Sequence, residues 1–206
     1  SRGSCSRDSA EIFDSGRLDL SNTQISDAGL RGLDGIPELT RLNLSGMPIT
    51  DAGLQVVGRL TALTELDLSG TSITGVGLKH LHAVKGLERF NLSHTMLTDD
   101  DLAHLPHVSL KLDLSGTQIT DAGLSDIGDP IRLDLSNTQV GDNGMAVLSK
   151  LPRLSEIDLE GTQVTDSGLT FFKQKSELKW IDIRKTRVTF EMLVELQRVF
   201  PHLRVN

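Results

Sequence analysis

The side chains able to do chemistry in this chain are carboxylates, arginines and one tryptophan. Asp134, Asp158 and Asp182 recur at intervals of 24 residues, with Glu160 nearby in sequence and Trp180 the only tryptophan. A cationic group held among such carboxylates against an indole gains charge-assisted hydrogen bonds and cation–π attraction. Two places before each of these aspartates stand Arg132, Glu156 and Trp180, and Arg204 occupies the same place before Asn206. Arg184 and Lys185 add the opposite sign, so an anionic partner region is the alternative, and an Arg184–Glu160 ion pair is the plainer reading. The candidate partner-binding set is therefore Arg132, Asp134, Glu156, Asp158, Glu160, Trp180, Asp182, Arg184, Lys185 and Arg204.

Other chemistries are poorly served. His80, His82, His104 and His107 form the densest histidine group, but residues two apart on a helix do not face one another, so surface imidazoles are expected rather than a metal site. Cys5 lies in a polar stretch with no defined histidine partner, which marks a tail thiol rather than an activated nucleophile. With one cysteine in the chain, neither an intramolecular disulfide nor a multi-cysteine zinc site can form. Repeated aspartates in like settings lack the unequal environments that separate an acid from a base. The stretch GTSITGVG has glycines without the lysine of a phosphate-binding loop. No enzyme activity and no cofactor are expected.

Composition narrows the partner. The 206 residues are 37% hydrophobic and 24% charged, as in an ordinary globular domain, and carry a net charge of -7. That charge argues against nucleic acid, which requires clustered lysine and arginine, and favours a protein partner with a basic segment. No apolar run reaches the roughly 18 residues of a membrane span, and no apolar signal-peptide core is visible. Because the first residue is Ser1, a removed leader or preceding domain stays open, and with it the compartment.

The positioning elements follow from repetition. LDLSNTQISDAGL at Leu18 returns in variant form at Leu42, Leu66, Phe90, Leu112, Leu133, Ile157 and Ile181, at spacings of 24, 24, 24, 22, 21, 24 and 24. A period in the twenties marks a solenoid, whose units bury their apolar faces only by stacking. The alternating L-D-L predicts a short half-buried strand. Thr or Ser before Asp predicts a helix start, and apolar pairs such as Leu54/Val57 predict the inward stripe of that helix. Strands joined through helices lie parallel. The prediction is an α/β solenoid with one strand and one short helix per repeat. The two short spacings should remove residues from the outer segment.

The L-x-L-x-x-T-x-I-T-D-x-G-L units resemble the leucine-rich repeat superfamily, and the T-D-x-G-L portion is most similar to its cysteine-containing subclass of F-box-type and bacterial proteins. The resemblance implies a horseshoe with a parallel concave sheet and short convex helices. The usual Asn or Cys after the strand is here Thr23, Thr71, Thr95, Thr117, Thr138, Thr162 and Thr186, with Met47 in the second repeat. A threonine hydroxyl can bond turn backbone and methionine cannot, so the Met47 turn should be the least regular. Residues 18–206 read as the repeat domain, eight units plus the start of a ninth strand. Residues 1–17 read as the tail of a partial repeat or a cap, with Ile12 and Asp14 aligned to the end of a preceding helix.

The function implied by the resemblance is a noncatalytic module binding a protein on its concave face. A spacer or recognition arm of a larger effector, kinase or ubiquitin-ligase-type receptor, and a carbohydrate or cell-wall binder, are the alternatives. The scarcity of aromatic residues counts against the last.

Overall fold

The computed structural model describes residues 16–206. The expectations for Cys5, Ile12 and Asp14 lie outside those residues. Strands β1 (Arg17–Asp19), β2 (Arg41–Asn43), β3 (Glu65–Asp67), β4 (Arg89–Asn91), β5 (Lys111–Asp113), β6 (Arg132–Asp134), β7 (Glu156–Asp158), β8 (Trp180–Asp182) and β9 (Arg204–Val205) form one parallel sheet in sequence order. The register never slips, so Leu18, Leu42, Leu66, Phe90, Leu112, Leu133, Ile157 and Ile181 stack in one column. These central side chains and the leucines that follow β2 to β7 are buried in a continuous core, with Leu20 partly buried against it. The residues flanking each central one point to the other face.

Helices α1 (Asp51–Val57), α2 (Gly75–Leu78), α3 (Asp99–Leu102), α4 (Asp142–Leu148), α5 (Asp166–Leu169) and α6 (Phe190–Val199) connect the strands. The expected helix is only a 3₁₀ turn in two repeats, Gly29–Gly35 and Asp121–Asp126. The first is glycine-rich and is preceded by Ala28, whose side chain cannot cap it. The second belongs to the shortest repeat. The other short repeat keeps only the four-residue α3 before its chain returns to β5. Both losses fall in the outer connection while the strand register is preserved.

Each of β1 to β8 exits through a tight turn with a left-handed residue. Asn22, His94, Asn137 and Lys185 have φ 55°, and glycine fills the same place at 46, 70, 116 and 161. The expected threonine bond is present in seven turns, from Thr23, Thr71, Thr95, Thr117, Thr138, Thr162 and Thr186 to the carbonyl three residues earlier, at 2.6 to 2.8 Å. Met47 lacks that hydroxyl bond, yet its amide still donates to the Leu44 carbonyl at 3.3 Å, as the Thr71 amide does to that of Leu68. The backbone therefore holds the turn, and the thioether fills the core instead.

A second ladder runs along the helix starts. Asp27, Asp51, Asp99, Asp142 and Asp166 each accept two hydrogen bonds from the threonine one repeat later, through its amide and hydroxyl. The distances are 2.6 to 2.9 Å. Asp121 accepts only from the Gly141 amide, at 2.6 Å, because that position has no hydroxyl. The same hydroxyls accept from an amide of their own helix, as Thr165 Oγ1 does from Ser167 at 3.2 Å. A hydroxyl can donate and accept through one atom, which carboxylate and ammonium groups cannot.

The glycine of T-D-x-G-L makes room for this carboxylate. A Cβ on Gly77 would lie 2.4 Å from Asp51 Oδ1 and 3.0 Å from the Asp51 Cα. Repeat four carries Asp101 at the glycine place, and repeat three carries Gly75 at the aspartate place, so the two exceptions compensate. Asp101 bonds the Thr98 amide and hydroxyl of its own repeat and the Gly75 amide of the previous one, at 2.8 to 2.9 Å.

One core position is charged. Lys175 aligns with Ile36, Leu60 and Val84, is 4% exposed, and donates to the Leu151 carbonyl. Burial pushes its ammonium below the ordinary lysine value, against the raising effects of Glu177 and Asp129.

Replacing Asp142 by Ala leaves the part-buried Thr165 amide without its acceptor and is expected to cost about 1–3 kcal/mol. Asp100→Ala, at an exposed residue of α3, is expected to stay within about 0.5 kcal/mol of the parent. Urea unfolding of the two variants measures the difference.

Candidate functional site

The open face of the sheet carries two columns of side chains. The register stacks Arg17, Arg41, Glu65, Arg89, Lys111, Arg132, Glu156, Trp180 and Arg204 in one, and Asp19, Asn43, Asp67, Asn91, Asp113, Asp134, Asp158 and Asp182 in the other. Both follow from the strand phrase, since residues two apart share a face. A groove of about 860 Å³ runs over strands β1 to β5 between them.

The acidic column is bound into the turns. In every repeat one side-chain oxygen accepts from the amide two residues later, from Asp19–Ser21 through Asp182–Arg184, at 2.9 to 3.1 Å. Asparagine serves as well as aspartate for this bond, and its amide can also donate to a neighbouring acid. Asn43 donates to Asp19 at 3.2 Å and Asn91 to Asp67 at 3.0 Å. Hydrogen bonds from Ser21, first its side chain, hold the Asp19 carboxyl below the ordinary value despite partial burial.

From β5 to β8 the column is four aspartates in succession, and the pattern changes. Burial pushes the Asp158 carboxyl up; a Glu160 amide bond opposes this, and repulsion from Asp134, Asp182 and Glu160 adds to it. Asp182 is buried too, which alone would raise it. Hydrogen bonds from the Arg184 side chain and amide and from Asn206, with the Arg184 charge, hold it below the ordinary value instead.

The candidate residues separate into three groups. Arg132 Nη1 bonds Glu156 at 3.2 Å while its guanidinium carbon lies 5.1 Å from the centre of the Trp180 ring, two strands away. Its Nε is buried without a hydrogen-bond partner among the described residues. Arg184 bridges Glu160 and Asp182, both at 2.7 Å, and Lys185 reaches Glu160 at 2.7 Å. Asp134 and Asp158 form the third group and take part in no ion pair among the described residues. Arg204 lines an opening of about 810 Å³ with Trp180, Arg132, Glu156, Lys179 and His202.

The basic column is compensated at its other end too, where Glu65 lies 3.4 Å from Arg41 and 3.8 Å from Arg89. Such exposed pairs contribute under about 1 kcal/mol each, so they fix side-chain placement more than stability. Sequence reasoning did not find the Arg132–Trp180 stack or the approach of Lys179 and His202 to it. A tryptophan replacing a basic residue in its own column was the available signal for the first. His80, His82 and His107 are exposed and His104 is half-buried. Among the described residues no three His, Cys, Asp or Glu side chains converge as a metal site would require.

The leucine-rich repeat family model matches residues 17–33, 60–81, 109–128 and 131–149. An internalin C2 structure from Listeria monocytogenes is 24% identical, with a TM-score of 0.60 over 88% of this chain and 76% of that one. An internalin F from the same organism is 17% identical, with a TM-score of 0.62 over 93% and 66%. A plant ice-binding protein is 19% identical, with a TM-score of 0.60 over 92% and 63%. No curated protein matches in sequence. The fold is a leucine-rich repeat solenoid, and these matches support the leucine-rich repeat superfamily, whose members are typically noncatalytic and commonly mediate protein–protein interaction. No described helix is long and apolar enough to cross a membrane.

Asp158→Asn keeps the turn acceptor while removing a charge between Asp134 and Asp182. The raised carboxyl favours folding only when protonated, a contribution complete below the unfolded value near 3.9 and lost as pH rises through the folded value. The variant is therefore expected to be more stable at pH 7 by roughly 0.5 kcal/mol, about 1–2 °C in Tm, and to lose that advantage in acid. Thermal unfolding at the two pH values checks it.

Proposed function

We propose that the chain is a noncatalytic protein-interaction module that binds its partner on the concave sheet face. The observation that carries this reading is the pair of unbroken side-chain columns on an open face, held in fixed register by nine strands. A rigid surface of this kind loses little conformational freedom on binding, and its spaced charges give specificity and orientation. The candidate contact set is Arg132, Asp134, Glu156, Asp158, Glu160, Trp180, Asp182, Arg184, Lys185 and Arg204.

The internal pairing refines their roles. Arg184 and Lys185 occupy Glu160, so Asp134 and Asp158 supply the accessible acid for a basic partner segment. Residues 18–206 act as one repeat domain in this reading, and 1–17 as the tail of a partial repeat or a cap. The T-D-x-G-L phrase supports placement in the cysteine-containing subclass, with threonine in the cysteine place.

The test is partner capture with matched variants that remain folded. Arg89→Glu with Asp134→Ala alters the concave face, while Lys79→Ala with His82→Ala alters exposed convex positions. Capture is expected to survive the convex changes and fall at least about tenfold with the concave ones, equivalent to about 1.4 kcal/mol. The reverse order contradicts the proposal.

A further inference from the structure

We infer that Trp180 and Glu156 form a seat for one arginine side chain of the partner's basic segment, and that Arg132 occupies this seat until the partner displaces it. The inference rests on the concave-binding reading and names the side chain that the segment must bring.

The present occupant is the first observation. Arg132 stands on β6, yet its guanidinium carbon lies 5.1 Å from the centre of the Trp180 ring on β8, and its Nη1 bonds Glu156 of β7 at 3.2 Å. A planar cation over an indole and hydrogen-bonded to a carboxylate combines the two contacts by which proteins hold guanidinium. The seat itself belongs to β7 and β8, and only the occupant comes from β6.

Arg132 fits that seat badly. Its Nε is, among the described residues, the only buried side-chain nitrogen or oxygen without a hydrogen-bond partner. A buried donor left unbonded is costly, and the Arg132–Glu156 pair is half exposed, so it holds the arm weakly. An arginine arriving from outside meets the same ring and carboxylate with its stem directed to solvent, so its own Nε keeps water.

Arg132 also has another acid to go to. Asp134 lies two residues along β6 on the same face and has no ion-pair partner among the described residues. One strand earlier Lys111 takes the equivalent path and lies 3.4 Å from Asp113, the register partner of Asp134. Once displaced, Arg132 neutralises Asp134 and releases Glu156 to the partner. The number of acids open to the basic segment is unchanged, and the open pair becomes Glu156 and Asp158, neighbours on one face of β7 beside the ring. Repulsion among Asp134, Asp158 and Asp182 falls with it. Arg204, the register partner of Trp180 on β9, repels a cation from the far side of the ring and leaves the Glu156 side as the approach. Guanidinium is favoured over ammonium because it can stack on the indole and bond the carboxylate at once.

Because Trp180 is the only tryptophan, its emission reports on the seat. The probes are the blocked peptides Gly-Arg-Gly, Gly-Lys-Gly and Gly-citrulline-Gly at constant ionic strength. Arg132→Ser is expected to bind the arginine peptide at least about fivefold more tightly than the parent, because the competing occupant is gone. Arg132→Gln, which keeps most of the stem, is a second emptied form with the same expectation. Adding Glu156→Gln to Arg132→Ser should remove the gain. Arg89→Ser, an equal change of charge in the same column, should leave the affinity within about twofold of the parent. The lysine peptide should bind more weakly than the arginine peptide, and the citrulline peptide should give no saturable change. Unchanged or weaker arginine binding in both emptied forms overturns the inference. An equal gain in Arg89→Ser also overturns it, in favour of general electrostatic attraction, as does lysine or citrulline binding that matches arginine.

The two readings fail separately. A partner still captured on the concave face by a chain whose emptied forms gain nothing for arginine removes only the seat. A gain for arginine that persists when no concave variant affects partner capture removes the concave reading instead.

Discussion

The helix-start carboxylate that clamps neighbouring repeats together is the constraint on which the rest of this solenoid depends. It explains three of the residues in T-D-x-G-L together. Threonine is needed because its hydroxyl gives one bond to the preceding aspartate and takes another from its own helix. Aspartate is needed because two oxygens must meet an amide and a hydroxyl at once. Glycine is needed because that carboxylate occupies the space of a Cβ. The exceptions obey the same steric rule: Gly75 frees the space that Asp101 fills, and Asp101 returns the missing bonds. In the last repeat Met192 stands at the glycine place, and α6 accommodates it with a different entry. Thr189 still bonds Asp166, but it caps the Met192 amide rather than that of the residue two along.

Because every stacked pair of repeats is clamped on this edge and bonded through the sheet on the other, the strands keep one register across all nine. Side chains two residues apart then form straight columns, and the surface chemistry becomes a matter of which charges have neighbours. Each acid in the second column already accepts a turn amide, so its remaining oxygen is what a partner or a neighbour can use. Asparagine takes that oxygen in the first repeats and Arg184 at the last aspartate. Among the described residues, Asp134 and Asp158 have no ion-pair partner and face one another's charge. The departures from the repeat's charge pattern gather around β6 to β8.

The architecture was legible because eight copies of one phrase allow the same physical argument to be made eight times. Strand, turn hydroxyl and helix cap all follow from residues close in sequence. The inter-repeat clamp was not read, since an aspartate at a helix start satisfies a local explanation, its favourable place near the helix dipole, that hides the partner 20 to 23 residues away. The matched oddity of Gly75 and Asp101 was the available clue. Met47 misled in the other sense, because the turn is held by its backbone bonds. In the candidate site, column membership was legible, but side-chain reach was not. Arg132 spans two strands to Trp180, and Arg184 bends back to Asp182 within its own repeat, so residues read as open to a partner are partly engaged with one another.

The most direct measurement is a double-mutant cycle between Asp51 and Gly77. Asp51→Gly alone removes the two bonds to Thr74. Gly77→Asp alone forces a second carboxylate against Asp51. The pair together reproduces the native Gly75 and Asp101 arrangement one repeat earlier. Each single change is expected to lower stability by more than about 1 kcal/mol, with the double change recovering at least half of the summed loss. Additive losses, with no recovery in the double variant, would contradict the clamp as the organising interaction of the fold.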